Sequence, residues 1–430
     1  MNNTEILIVG AGATGLMAAY TLSKAGKKVA ILEARNRFGG RIHTLDGSSF
    51  FKHAELGAEF IHGNLPVTLQ LLKEAGIDYY SASGEMWHYD KGVFSNDPQQ
   101  MEDWDMLMKK LNALKTDITI GDFLQQEFSE GKYDDLRISV TRFVAGFDTA
   151  DIHKASAFAL RQEWQADDED AQYRIDGGYC KMMDYLVNES KASGAQLFLN
   201  TVVKDIYWEG KQVKIVTADG VNYKAEKVII ALPLGVLQAE NTITFYPPIH
   251  EHTGAIQQMG FGAIIKILLE FRDIFWEDEE TTKVAGHSLK EMGFLLSNEE
   301  IPTWWTQYPK HSTVLTGWLG GPNAEAKKDT PNEELLQQAI QSLANVFKRD
   351  VEDLKTNLVT WNVINWTADP FTLGSYAYDT IEAPDARRTL SNPVNDTIYF
   401  AGEYLYDGPA MGTVEAALSS GLDAAKKILA

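Results

Sequence analysis

The order of apolar and polar positions divides the chain into strands and helices. Ile6-Leu7-Ile8-Val9 and Val29-Ala30-Ile31-Leu32 are short apolar runs without polar alternation, the pattern of strands buried on both faces. Leu16 to Lys24 between them has helical spacing. Farther on, Leu107, Leu111, Leu114 and Ile118 predict a helix over Trp104 to Phe128, and Asp135 to Phe147 and Lys154 to Trp164 predict two more. From Ala195 the period shortens. Gln196 to Leu199, Val202 to Trp208, Gln212 to Thr217 and Tyr223 to Ala225 predict strands, with turns at Glu209-Gly210 and Asp219-Gly220. Val228 to Leu232 is a buried strand closed by Pro233, and a mixed block runs from about Ile249 to Val394. Ile398 to Glu403 returns to a buried strand, and Val414 to Leu429 predicts a closing helix. No internal repeat or low-complexity tract is visible.

The first strand and helix are joined by Gly10-Ala11-Gly12-Ala13-Thr14-Gly15, and the second strand ends on Glu33. In this strand–turn–helix–strand setting a G-x-G-x-x-G turn predicts a dinucleotide site. Gly10 permits the tight turn, Gly12 lets a pyrophosphate approach the backbone, and Gly15 lets helix and strand pack closely. The helix N-terminus offers free N–H groups and a positive dipole end. Glu33 can accept from both ribose hydroxyls and would repel a 2′-phosphate. The chain continues through Ala34 and Arg35 to Arg37-Phe38-Gly39-Gly40-Arg41. A second diphosphate contact from a guanidinium suits a permanently buried FAD better than a nicotinamide.

Bulk properties narrow the class. With 430 residues, two or three domains are expected. The composition, 44% apolar and 23% charged, is that of an ordinary globular protein. The net charge of −21 argues against nucleic acid as a partner. It could concentrate a cationic substrate, although solubility alone accounts for most of it. The single cysteine, Cys180, excludes an internal disulfide framework and a cysteine-based metal site, and fits a reducing cytoplasm. The N-terminal strand does not resemble a signal peptide. No apolar run is long enough for a bilayer, and no C-terminal anchor is expected after the last helix.

The run from Glu33 to Arg41 resembles the extended fingerprint of the flavin-containing amine oxidase superfamily, and five further stretches extend the resemblance over nearly the whole chain. Gly57-Ala58-Glu59-Phe60-Ile61-His62-Gly63 is similar to the segment along the flavin face, with Phe60 where polyamine oxidases usually carry Trp. Val203 matches the position whose backbone contacts adenine. Ala231 to Leu237 resembles the P-L-G-V-L signature. Gly402 and Glu403 match the acid stretch near the ribityl–phosphate region. Thr413 and Val414 open the helix whose N-terminus points at the flavin pyrimidine, where a dipole would stabilise reduced flavin.

Two more stretches carry the chemistry the resemblance implies. Lys266 lies in an apolar strand, Ile264 to Leu269. A lysine there is either an edge residue whose head reaches solvent or a functional group. The resemblance assigns it the second role, holding a water against flavin N5. Trp366 lies in the segment W-x-x-D-P-[YFW]-x-x-G-S-Y, in which Tyr376 matches an aromatic facing the substrate amine. Ser375 stands where monoamine oxidases carry the cysteine that bonds the flavin, which implies non-covalent FAD. Thr413 replaces the second tyrosine of their aromatic cage, leaving it incomplete. His62 is a candidate substrate contact, where a structural histidine is the plainer alternative. Asp167-Asp168-Glu169-Asp170 is either a solvated loop or an electrostatic funnel before Gly177-Gly178-Tyr179, a turn the resemblance sets near the substrate entrance.

The sequence therefore implies an α/β protein of amine oxidase type, with a Rossmann-type FAD-binding domain (1–80, 195–250, 395–430) interleaved with an α+β substrate domain. That second domain is a mixed sheet plus helices (81–194, 251–394), with a helical subdomain over about 100–175. The expected activity is oxidation of a C–N bond of a (poly)amine by hydride transfer to flavin N5, giving imine or aldehyde and hydrogen peroxide. Expected partners are a small amine and O2, without nucleic acid, membrane or metal, in a monomer or homodimer. An L-amino-acid oxidase is the alternative and would need an arginine clamp, for which Arg142, Arg161 and Arg174 are candidates. A carotenoid-type desaturase or isomerase and a catalytically silent flavoprotein are others. The lack of a long helical insertion and the acidic charge argue against a lysine demethylase.

Overall fold

Five parallel strands from widely separated parts of the chain make one sheet. Their spatial order is Ile398–Phe400, Lys227–Ile230, Ile6–Val9, Val29–Leu32 and Gln196–Phe198. Apart from Lys227, which opens its strand, the three central strands are apolar because helices and loops cover both faces. Helix Ala13–Lys24 packs on this sheet beside Val414–Leu429 and Cys180–Ala192. The computed structural model describes residues 4–45, 50–96, 103–165, 172–408 and 410–430. The acidic run Asp167 to Asp170 lies outside them.

A seven-stranded mixed sheet forms the second layer, ordered Leu358–Asn365, Ile264–Phe271, Val314–Gly320, Thr303–Trp305, Met292–Ser297, Glu85–Asp90 and Val93–Ser95. Ile264–Phe271 is paired on both sides, so Lys266 is not an edge residue. Ile265, Ile267, Leu269 and Phe271 face a large apolar core. The period-two alternation puts Lys266 on the opposite face. A four-stranded sheet, Asn222–Ala225, Gln212–Thr217, Val203–Glu209 and Thr244–Tyr246, flanks the parallel one.

The helix expected over Trp104 to Phe128 is two helices, Trp104–Ala113 and Ile120–Glu127. The polar stretch Lys115-Thr116-Asp117 interrupts it, and Thr119 restarts the helix by accepting the Asp122 N–H at 3.1 Å. Asp117 instead ties down Ser156 Oγ at 2.6 Å and the Phe158 N–H at 3.0 Å. Helices Asp134–Gly146 and Ala157–Gln165 complete this region. The closing helix has its expected bounds, Val414–Leu429. Its Glu415 accepts from Val67 N, Thr68 N and Thr68 Oγ1 at 2.7–2.9 Å, capping the helix Pro66–Ala75 from outside.

Candidate active site

The turn after the first strand is shaped as its glycines require. Gly10 has φ +103°, and a Cβ there would lie 2.5 Å from the Ala231 carbonyl oxygen. A Cβ on Gly15 would lie 2.0 Å from the Gly10 oxygen. Helix Ala13–Lys24 starts without a side-chain cap, which leaves its first-turn N–H groups for a ligand. Glu33 Oε2 accepts the Ala11 N–H at 2.7 Å and Oε1 the Arg35 N–H at 2.9 Å. Each oxygen keeps a lone pair for a further donor.

This turn is one end of a cavity of about 2500 Å³, far above the few hundred Å³ of a drug-sized site. Gly10, Gly12, Ala13, Thr14, Glu33, Ala34, Arg35, Gly40, Arg41 and Val203 line that end. Ala11 and Gly15 stand behind the wall, one holding Glu33 and the other packing helix to strand. Gly57, Ala58, Glu59, His62, Lys266, Trp366, Tyr376, Gly402, Glu403, Thr413 and Val414 line the same cavity. The length, the open helix start and the acid at the second strand's tip fit an extended dinucleotide such as FAD.

The arginines are held in place by acids. The Arg35 guanidinium is bidentate on Asp369, at 2.5 and 3.0 Å, and lies between the rings of Trp366 and Phe371. Arg41 Nη1 meets Glu403 Oε1 at 2.9 Å and the Ser375 carbonyl at 2.5 Å. It thereby ties the glycine loop to the segment carrying Tyr376.

Lys266 is 1% exposed. Its Nζ donates to Glu59 Oε2 at 2.8 Å and to the Gly57 carbonyl at 3.2 Å, and stands over the Trp305 ring at 5.2 Å. Glu59 also accepts from Arg174 Nε, Trp305 Nε1 and Gln307 Nε2 at 3.0–3.1 Å. Burial alone would raise the Glu59 carboxyl, but Lys266 and Arg174 overcome it and hold it down at about 2. Glu59 was expected to face the cofactor; its four donors make it the counter-ion of Lys266. The sequence signal was an acid in an apolar segment facing a lysine in an apolar strand.

A short ladder, Gly260–Phe261 against Ala377–Tyr378, with Gly262 N–H to the Tyr376 carbonyl at 2.9 Å, sets Tyr376 beside the strand bearing Lys266. The Tyr376 hydroxyl donates to the Phe147 carbonyl. Burial pushes its proton loss far up. Ser375 Oγ lies 2.5 Å from Thr149 Oγ1. Trp366 is buried, with Nε1 donating to the Leu56 carbonyl at 2.8 Å, so its indole supports the flavin-face segment. Thr413 caps the last helix through Ala416 N at 3.2 Å. His62 exposes its surface to the cavity interior. Enclosure there pushes its imidazole down to about 4, leaving it neutral at pH 7.

Sequence reasoning overlooked Asp148 and Glu163. Both line the cavity, on either side of a break between helices. Their only sequence signal is an acid at the end of an amphipathic helix. Conversely, Gly177, Gly178 and Tyr179 do not line the cavity among the described residues. Tyr179 is buried, with its hydroxyl donating to the Phe60 carbonyl at 3.1 Å. Of the candidate clamping arginines, Arg174 is held by Glu59 and by the Thr306 and Tyr308 carbonyls. Arg161 donates to the Leu111 and Leu114 carbonyls, and neither of the two lines the cavity. Arg142 does line the cavity, exposed and bonded to Asn298. Among the described residues no cluster of His, Cys, Asp or Glu could hold a metal, and no helix is long and apolar enough to cross a membrane.

Comparison with known proteins shows the family and the fold. Residues 13–429 match the family model of the flavin containing amine oxidoreductases. The chain is 28% identical to polyamine oxidase 4 of Oryza sativa subsp. japonica, across 98% of this chain and 88% of that protein. It is also 28% identical to lysine-specific histone demethylase 2 of Homo sapiens, across its whole length but spanning only 54% of the human protein. Identity alone does not separate the two kinds of relative. In fold it is similar to wild-type putrescine oxidase bound to putrescine, with a TM-score of 0.80 at 21% identity over 100% of this chain and 99% of that one. Cyclohexylamine oxidase from Brevibacterium oxydans gives 0.78 at 18% identity, over 99% of each chain.

Proposed function

The chain belongs to the flavin-containing amine oxidoreductases, and from that premise we propose that it is an FAD-dependent oxidase of an aliphatic (poly)amine, with oxygen as acceptor. The observation that carries this reading is the single cavity joining the Gly10–Glu33 cradle to Lys266 and Tyr376. Similarity to polyamine oxidases supports the substrate class. Arg161 and Arg174 are held by protein carbonyls and by Glu59 and stand outside the cavity lining, so of the three only Arg142, which lines the cavity and is bonded to Asn298, could clamp the carboxylate an amino-acid oxidase needs. Ser375, whose hydroxyl cannot form a thioether, supports non-covalent FAD, and the lone Cys180 supports a reducing compartment such as the cytoplasm.

The open start of helix Ala13–Lys24 would bind the diphosphate, and Glu33 would hold the adenosine ribose. Arg41 and Glu403 brace the loop between the cofactor and the substrate wall. FAD, when bound, would supply a two-electron acceptor for the carbon beside the amine nitrogen and pass the electrons to oxygen as hydrogen peroxide; water would split the resulting imine to an aldehyde and ammonia or a shorter amine. Lys266 uses two donors on Gly57 and Glu59, which leaves its third N–H for a water in the cavity. Tyr376 and Phe147 wall the amine side, and neutral His62 can accept a hydrogen bond from the amine.

The test is aerobic turnover of the flavin-loaded protein with putrescine, spermidine and spermine, following oxygen uptake, peroxide and trapped aldehyde. One peroxide per aldehyde is expected. Oxygen uptake with L-amino acids and with none of the amines would overturn the reading.

A further inference from the structure

Asp148 has no part in the chemistry above, yet its position is costly. It follows the helix Asp134–Gly146 and is 8% exposed at the cavity wall. Its Oδ2 receives no hydrogen bond from any donor among the described residues. A buried acceptor without a donor is expensive. The backbone beside it is strained as well: Thr149 has φ +54°, a left-handed conformation that β-branched residues avoid. Two contacts from the substrate wall hold that strain, Tyr376 hydroxyl to the Phe147 carbonyl and Thr149 Oγ1 to Ser375 Oγ. Together they present the Asp148 carboxyl to the cavity.

Glu163, on helix Ala157–Gln165, meets it there, with the two carboxyls within hydrogen-bonding reach. Burial first, and then the Glu163 charge, push Asp148 well above the usual carboxylate range. Burial pushes Glu163 up to about 7, helped by Asp379 and opposed by its bond to Asp148. No cation neutralises the pair among the described residues. The neighbouring Asp379 is held by Arg387, which also reaches Asp407, and Glu403 is held by Arg41. Tyr376, the remaining titratable neighbour, keeps its proton. Phe143, Phe147 and Trp164 supply aromatic faces, with ring centroids 5.5 and 6.1 Å apart along the wall. Two acids lining one cavity wall beside aromatic rings make a site for an organic ammonium.

We propose that Asp148 and Glu163, beside the rings of Phe143, Phe147 and Trp164, dock a second, non-reacting ammonium of the substrate. The site rests on the amine oxidase reading and narrows it to diamines and longer polyamines. Binding competes with a proton, so diamine preference rises with pH as the pair ionises.

The experiment uses the flavin-loaded protein, anaerobic, with putrescine and n-butylamine compared from pH 6 to 8.5. The ratio of the two second-order rate constants for flavin reduction (kred/Kd) cancels effects common to both amines. That ratio is expected to rise about tenfold across the range, and to fall at least about tenfold at pH 8.5 in Asp148→Asn and in Glu163→Gln, with a flattened pH profile. Flavin content and melting midpoint of each variant are read first. Glu163 is only partly buried, so Glu163→Gln keeps the test decisive if Asp148→Asn loses its flavin. If amines bleach the flavin but the ratio is flat with pH or unchanged by the variants, the second site falls and the oxidase stands. If no amine bleaches it, the oxidase reading falls and takes the site with it.

Discussion

Glu59 Oε2 and Lys266 Nζ stand 2.8 Å apart with neither side chain more than 4% exposed, and Arg174 approaches the same carboxylate at 3.1 Å. One acid thus faces two bases inside the protein. Such a group is costly to desolvate and costlier to break by removing one member. Lys266 brings this group to the cavity wall, where reduced flavin and oxygen-derived anions would carry negative charge.

Lys266→Met leaves Glu59 paired with Arg174, so the fold and the flavin are retained. Flavin reoxidation is expected to slow at least about tenfold, as for loss of a proton-handling group. Stopped-flow reduction and reoxidation rates check this. Unsubstituted rates in both half-reactions would remove Lys266 from the chemistry.

Glu59→Gln leaves two buried cations facing each other and is expected to cost roughly 3–5 kcal/mol, read from urea unfolding. The pH dependence has a definite sign. The Glu59 carboxyl is held at about 2, below its unfolded value of 4.5. Its stabilisation is therefore complete above pH 4.5 and lost as the pH falls from there towards 2. The melting midpoint should drop more steeply between pH 5 and 3 in the unsubstituted protein than in Glu59→Gln. Parallel slopes would contradict the pairing.

Glu33→Ala strands the Ala11 and Arg35 N–H groups and removes the ribose acceptor. Losing these bonds, at about 1–3 kcal/mol for a buried unsatisfied group, should weaken FAD binding by roughly 10–100-fold. Gel filtration at low protein concentration would then strip the flavin from the variant alone. A full flavin complement would argue against Glu33 as the adenosine contact.

Ser375 offers a hydroxyl, and Cys180 lies outside the cavity lining. Acid precipitation should therefore release all the flavin into the supernatant. A yellow pellet would show a covalent link.

The Gly10–Gly15 turn, the apolar strands around it and the closing helix were legible in the sequence because their causes are local: glycine sterics, β-branched runs and helical spacing. The break at Lys115-Thr116-Asp117 was not, because Asp117 is drawn off by Ser156 and Phe158 from beyond the next helix. Lys266 was legible as an anomaly, but its partner was not: Glu59 is 207 positions away, and only the pairing of Ile264–Phe271 on both sides buries the two together. Arg35, expected at the cofactor, is anchored by Asp369 across 334 positions for the same reason. Asp148 and Glu163 become a site only when two helices fold against Tyr376, which no periodicity encodes.

Anaerobic mixing of the purified yellow protein with putrescine, spermidine, spermine, aromatic amines and L-amino acids, one at a time, tests the central claim most directly. Bleaching of the flavin by the aliphatic amines, with the di- and polyamines fastest, is the expected result. Bleaching by L-amino acids alone would contradict it.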